Sequence, residues 1–290
     1  MKTFAALVLL YTLPALATVY GYEDRVDVTA ANPTLLQWAA PVAAVVRSNA
    51  VQINGSVATV RSRGTLEDVL NLSPFQAFSS QPVATGLICT AVLIRPSILL
   101  TAHYCVVGSD GRDLTPQLSF VFGYTSEASN SANALTTAAS EVYRARRILY
   151  TTDADAQGDF ALVELDRAVA GRTPATLDSH AAALLSDGAP LLGMGYTCGT
   201  PLKAAGNAHA RQVYETEGYA VTDIDASRGW GGGPVFDATT GHLLGIITRG
   251  DTDLVSVPGM SGLVWNALAQ SDGRGGDITL APAILRHLPR

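Results

Sequence analysis

The sequence predicts an all-β fold, a sandwich or a barrel, and three observations carry that prediction. From about Val83 onward the chain is a succession of short β-rich runs. Gly, Pro, Asp and Ser separate these runs, as turns between strands would. Apolar residues make up 48% of the chain and charged residues 15%, which suits a sizeable core and excludes a disordered chain. A length of 290 residues allows one large domain or two small ones.

The first element reads as an export signal over residues 1–17. Lys2 precedes an apolar stretch, Phe4 to Leu13, and then Ala15-Leu16-Ala17, a small-x-small cleavage pattern. That stretch is too short to span a bilayer, and no later run supplies about 20 apolar residues. A soluble extracellular or periplasmic protein with no membrane span is expected. Residues 18–55, including Tyr20 to Val26 and an Ala-rich run, read as an N-terminal extension or pro-segment ahead of a domain at 56–290. Strand-like runs then follow at Ile88–Ile94, Ile98–Thr101, Leu118–Gly123, Phe160–Leu165, Leu191–Gly195, Val213–Val221, Val235–Asp237 and Leu243–Thr248. Only Leu280–Leu288 has a helical pattern, and Pro282 and Pro289 limit it to a short C-terminal helix.

The net charge of −6 is mild and no basic run occurs, so nucleic acid is not an expected partner. No cofactor and no metal site is expected, and the chain is expected to be a monomer. Of three cysteines, an oxidising compartment pairs two and leaves one. Cys89 and Cys105 bracket two apolar runs that can fold back on each other, which favours a disulfide between them. Spacing alone leaves the connectivity open, and Cys198 is left as a buried thiol or an intermolecular link.

Three segments carry chemistry. His103, in Thr101-Ala102-His103-Tyr104-Cys105, follows an apolar strand, whose end is a rigid place from which to aim an imidazole. Asp159 opens Asp-Phe-Ala-Leu-Val-Glu-Leu, where a carboxylate leading into a buried strand can accept an imidazole Nδ1–H and set its tautomer. Gly229-Trp230-Gly231-Gly232-Gly233-Pro234 is a glycine-rich turn before a strand.

In this order the three segments resemble the histidine, aspartate and serine segments of trypsin-like serine proteases. The resemblance is best to the secreted bacterial glutamyl-endopeptidase-like branch, and it covers most of residues 83–255. It implies two six-stranded antiparallel β-barrels, about 56–168 and 169–290, with the cleft between them. It implies His103 and Asp159 as catalytic residues, with Gly231 at the nucleophile position. It also implies an oxyanion hole made by the N–H groups of Gly229 and Gly231, and peptides or proteins as ligands. Gly231 has no hydroxyl, however, and Trp230 stands where trypsins have an aspartate that pairs with a freed N-terminus. Asp225, six residues before Gly231, matches the position that gives trypsin its Arg/Lys preference, and Thr248 and Gly250 fall in the specificity-pocket segment. Glu-specific members carry a histidine near Ile247, and this chain has none there. Two readings follow: a protease homologue that binds peptides or regulates without cleaving, or a serine endopeptidase of which this is an altered or weakly active copy. Only the attacking oxygen is missing from the motif set, which predicts that Gly231→Ser restores cleavage.

Overall fold

The structure, a computed structural model, describes residues 19–29, 32–129, 133–153, 158–250 and 252–289. The expected export signal lies outside the described residues.

Six strands close into an antiparallel barrel: β1 (Val42–Arg47), β2 (Leu87–Arg95), β3 (Ile98–Thr101), β4 (Leu118–Phe122), β5 (Val142–Thr151) and β6 (Ala161–Leu165), in the order β5-β6-β3-β2-β1-β4. Alternate residues of these strands fill the interior, among them Ala43, Val45, Ala91, Leu93, Leu99, Phe120, Phe122 and Val163. The intervening residues, including Val42, Ala44, Val46, Val92, Leu100, Val121 and Leu162, pack outward against Met194, Tyr196, Phe236 and Ile246 of the second half. Burial on both faces explains why these strands read as unbroken apolar runs rather than alternating ones.

Strand β1 falls inside residues 18–55, which the sequence suggested as an extension. Its five residues Val42 to Val46 are each at most 1% exposed, and it lies between β2 and β4. The barrel therefore begins before residue 56. Earlier still, Val19–Tyr20 pairs in parallel with Ala267–Leu268, and Val26–Asp27 pairs with the second sheet.

The second half is β7 (Leu191–Gly195), β8 (Lys203–Ala208), β9 (Ala210–Tyr214), β10 (Tyr219–Thr222), β11 (Pro234–Asp237), β12 (Leu243–Arg249) and β13 (Gly276–Leu280). They form one sheet in the order β9-β10-β13-β12-β11-β7-β8, with Val26–Asp27 as its eighth strand. This sheet is a half-barrel, so the two-barrel expectation is met by one closed and one open unit. Its own core includes Leu191, Ala220, Trp230, Val235, Leu244 and Ile278. The C-terminal helix, Ala281–Leu285, starts with Pro282 in its first turn, where the missing N–H has no intrahelical partner to lose.

Cys89 on β2 and Cys105 just after β3 form a disulfide with Cα atoms 5.9 Å apart. A bridge closing a loop of this size contributes on the order of 3 kcal/mol, and it anchors the turn that carries His103. Tyr124 stacks on Tyr196 at 5.4 Å between the two halves, and its hydroxyl donates to the Gly199 carbonyl at 2.9 Å.

Candidate active site

His103 opens a single helical turn, His103–Val106, directly beyond β3. Strand β6 pairs antiparallel with β3 in a register that sets Ala161 opposite Thr101, which brings Asp159 beside His103. Asp159 is 3% exposed, and its Oδ1 accepts the backbone N–H of His103 at 2.5 Å. Burial raises its pKa above the usual carboxylate range, opposed by that N–H, by the His103 imidazole and by Arg249. The Asp159 carbonyl accepts from the Thr279 hydroxyl at 2.7 Å, which ties this corner of the barrel to β13.

The imidazole has a different partner. Its Nδ1 lies 2.7 Å from the hydroxyl of Thr151, the last residue of β5. The structure therefore brings Asp159 to His103 through the main chain, while Thr151 orients the ring. Nothing in the local sequence around Thr151 marks this role, because it arises only from the β5–β6 pairing.

The glycine turn is held from both halves. The Thr90 N–H of β2 donates to the Gly231 carbonyl at 2.9 Å, and the Thr90 hydroxyl donates to the Gly229 carbonyl at 2.7 Å. Gly232 donates to the Ile247 carbonyl and Gly233 to that of Trp230, each at 2.7 Å. Gly229, with φ near +97°, passes so close to the Tyr196 carbonyl that a side chain there would overlap it. The N–H groups of Gly229 and Gly231 donate to no acceptor among the described residues.

The space above Gly231 is filled. A Cβ built on Gly231 would overlap the hydroxyl of Tyr104, the residue between His103 and Cys105. This phenol occupies the volume where a serine side chain would stand. Tyr104 as a whole is 49% exposed, so its ring is partly open while its hydroxyl is crowded against the turn. Desolvation of that hydroxyl and then the nearby Asp159 charge push the phenol above its ordinary pKa, against Arg249, so it stays protonated. A sequence signal existed: a large aromatic stands next to the histidine in the same chain that lacks a side chain at Gly231.

Trp230 is fully buried in the half-barrel, and its indole N–H donates to the Thr197 hydroxyl at 2.9 Å. The indole lies in a slot left by Gly193 and Gly195 of β7, where a Cβ on Gly195 would overlap the ring. It does not crowd the cleft.

A cavity of ≈ 580 Å³ opens beside the turn, lined by Tyr104, Gly229, Gly231, Arg228, Arg249 and Gly250 among others. Of the three residues expected in a specificity pocket, Gly250 lines it. Thr248 is buried, with its hydroxyl donating to the Asp277 carbonyl at 3.3 Å. Asp225 is buried under the N-terminal segment, where it accepts the N–H groups of Tyr20 at 2.7 Å and Asp24 at 3.4 Å. Cys198 also lines the cavity as a free thiol whose pKa burial pushes up to about 12, which makes it a poor nucleophile.

Burial raises the pKa of Asp225, and the Asp24 carboxyl beside it raises it further against the Tyr20 N–H. A carboxyl with a raised folded-state pKa stabilises the fold below the ordinary carboxylate range. That stability is lost as pH rises through the folded pKa. Urea unfolding is therefore expected to show stability falling from about pH 4 toward neutrality, with a slope of up to ~1.4 kcal/mol per pH unit from this proton. Asp225→Asn should flatten that slope, and an unchanged slope would remove Asp225 as its source.

Among the described residues no cluster of three His, Cys, Asp or Glu side chains could hold a metal ion, and no helix is long and apolar enough to cross a membrane. No curated protein sequence matches the chain. Among solved structures it is similar to the VesB protease of Vibrio cholerae, at 14% identity and a TM-score of 0.52, covering 91% of this chain and 65% of that one. It is also similar to a Glu endopeptidase, at 15% identity and a TM-score of 0.51, covering 93% and 96%. Both likenesses show the fold. The sequence itself matches the trypsin-like peptidase domain over residues 89–246, more than half of its length, and the chain belongs to that family.

Proposed function

We propose that this chain is an exported, peptide- or protein-binding member of the trypsin-like family that does not carry out acyl transfer. The observation that carries this reading is the Tyr104 hydroxyl in the place of the missing Gly231 side chain. Loss of the serine nucleophile in a well-studied protease lowers kcat by about 10⁶. Here the Tyr104 hydroxyl also takes up the volume of the missing side chain. The disulfide supports an oxidising compartment.

A second reading, a weakly active serine-type hydrolase, draws on the contact between His103 and Asp159 and on the two open N–H groups at Gly229 and Gly231. A peptide-library cleavage assay separates the two. No cleavage above that of a His103→Ala control is the expected result. Turnover that His103→Ala abolishes would establish the hydrolase instead.

A further inference from the structure

Three residues lining the ≈ 580 Å³ cavity carry hydrogen-bond donors without a protein partner. The donors are the N–H of Gly229, the N–H of Gly231, and the hydroxyl of Tyr104 set over Gly231. None of the three bonds to an acceptor among the described residues. Donors that face a solvent-filled cavity without a protein partner are available to a ligand's acceptors.

Among the described residues, two carboxylates near this wall each accept a backbone N–H. Asp159 gives an oxygen to the His103 N–H, and Asp253 accepts the Arg228 N–H at 3.0 Å. The guanidinium groups of Arg228 and Arg249 belong to residues of the same lining. The wall therefore presents neutral donors, with arginine and aspartate side chains both close by.

A peptide running straight through the cleft fits this wall poorly. One carbonyl oxygen can take the two glycine N–H groups. The next atom along the chain is then an amide nitrogen, whose N–H can use the Tyr104 oxygen only as an acceptor and leaves the phenol's own proton unused. A chain that ends there presents a carboxylate instead, with two oxygens and only acceptor sites. One oxygen takes the paired N–H groups and the other takes the Tyr104 hydroxyl, as charge-assisted bonds. Tyr104 is suited to this because its raised pKa keeps the proton on the phenol.

Resting on the peptide-binding reading above, we infer that the cavity captures the free C-terminal carboxylate of a peptide or protein, held by the backbone of Gly229 and Gly231 and by the Tyr104 hydroxyl. The glycine at 231 and the tyrosine at 104 then form one device, in which the phenol supplies a third donor where a serine would have supplied a nucleophile.

The test uses two mixtures of acetyl-Ala-Ala-Xaa tripeptides, identical except that one ends in a carboxylate and the other in a carboxamide. Binding to the full mature chain is read by equilibrium dialysis with mass spectrometry. At least one acid is expected to bind ten times or more tighter than its amide. Tyr104→Phe removes one oxygen from a half-exposed side chain and is expected to shrink that ratio to about threefold or less, with thermal melting unchanged. Gly231→Ala, which displaces the phenol, is expected to shrink it likewise. Equal binding of acids and amides, or a ratio that both variants leave intact, overturns the carboxylate inference and leaves the peptide-binding reading standing. Binding of neither mixture overturns both.

Discussion

Gly231→Ser alone is expected to leave the protein unlabelled by a serine-directed fluorophosphonate, while the same change combined with Tyr104→Ala and Thr151→Ala is expected to give labelling. Two obstacles separate the chain from a working nucleophile. The first is volume, since any Cβ at position 231 overlaps the Tyr104 hydroxyl. The phenol can swing outward, but overpacking of this kind costs about 1–3 kcal/mol. The second is orientation. The His103 Nδ1 is held by the Thr151 hydroxyl rather than by the Asp159 carboxylate. A triad whose aspartate no longer supports its histidine loses about 10⁴ in kcat. Removing both obstacles should raise the labelling rate at least ~10²-fold over the single variant, a fraction of that factor. The probe reads the nucleophile itself, so peptide preference does not enter. Labelling of Gly231→Ser at the rate of the triple variant would show that neither Tyr104 nor Thr151 blocks the site.

A chain beginning at residue 56 is expected not to fold. It lacks β1, and with it the closure of the barrel between β2 and β4. Burial of one valine is worth about 1.5–3 kcal/mol, and β1 buries Val42, Val45 and Val46 together with two alanines. That sum alone approaches the roughly 5–15 kcal/mol by which a whole domain is stable. The truncation also leaves two apolar strand edges unpaired, a template for aggregation. Urea titration followed by tryptophan fluorescence should give a cooperative transition for the chain from residue 19 and none for the chain from residue 56. A cooperative transition in the shorter chain would mean that β1 is dispensable.

These two results fall where the sequence was hardest to read. The segments around His103, Asp159 and the glycine turn were legible because their chemistry is local: a strand end, a carboxylate before a strand, a turn of glycines. The Cys89–Cys105 bridge was legible from the apolar runs it brackets. Strand β1 was not, because Val-Ala-Ala-Val-Val is buried on both faces and shows no period of two. Tyr104 and Thr151 were missed for another reason. Each fills a space defined by partners 127 and 48 positions away in the sequence, Gly231 and His103 respectively, and no spacing rule reports that volume. The position of Asp225 relative to Gly231 was visible, but the N-terminal segment lying over its carboxylate was not.

Trp230 also gives change a direction. With the indole in its slot, Gly195 has no room for a side chain. With Gly193 and Gly195 bare, exchanging the indole for a carboxylate empties the slot and buries a charge among apolar side chains. Emptying a site of that size costs about 3–5 kcal/mol, and an unpaired buried charge adds to it. Each single exchange is therefore uphill, and a workable one changes the positions together. The three positions act as a pawl: each holds the other two in place, and none is exchanged alone without loss of packing.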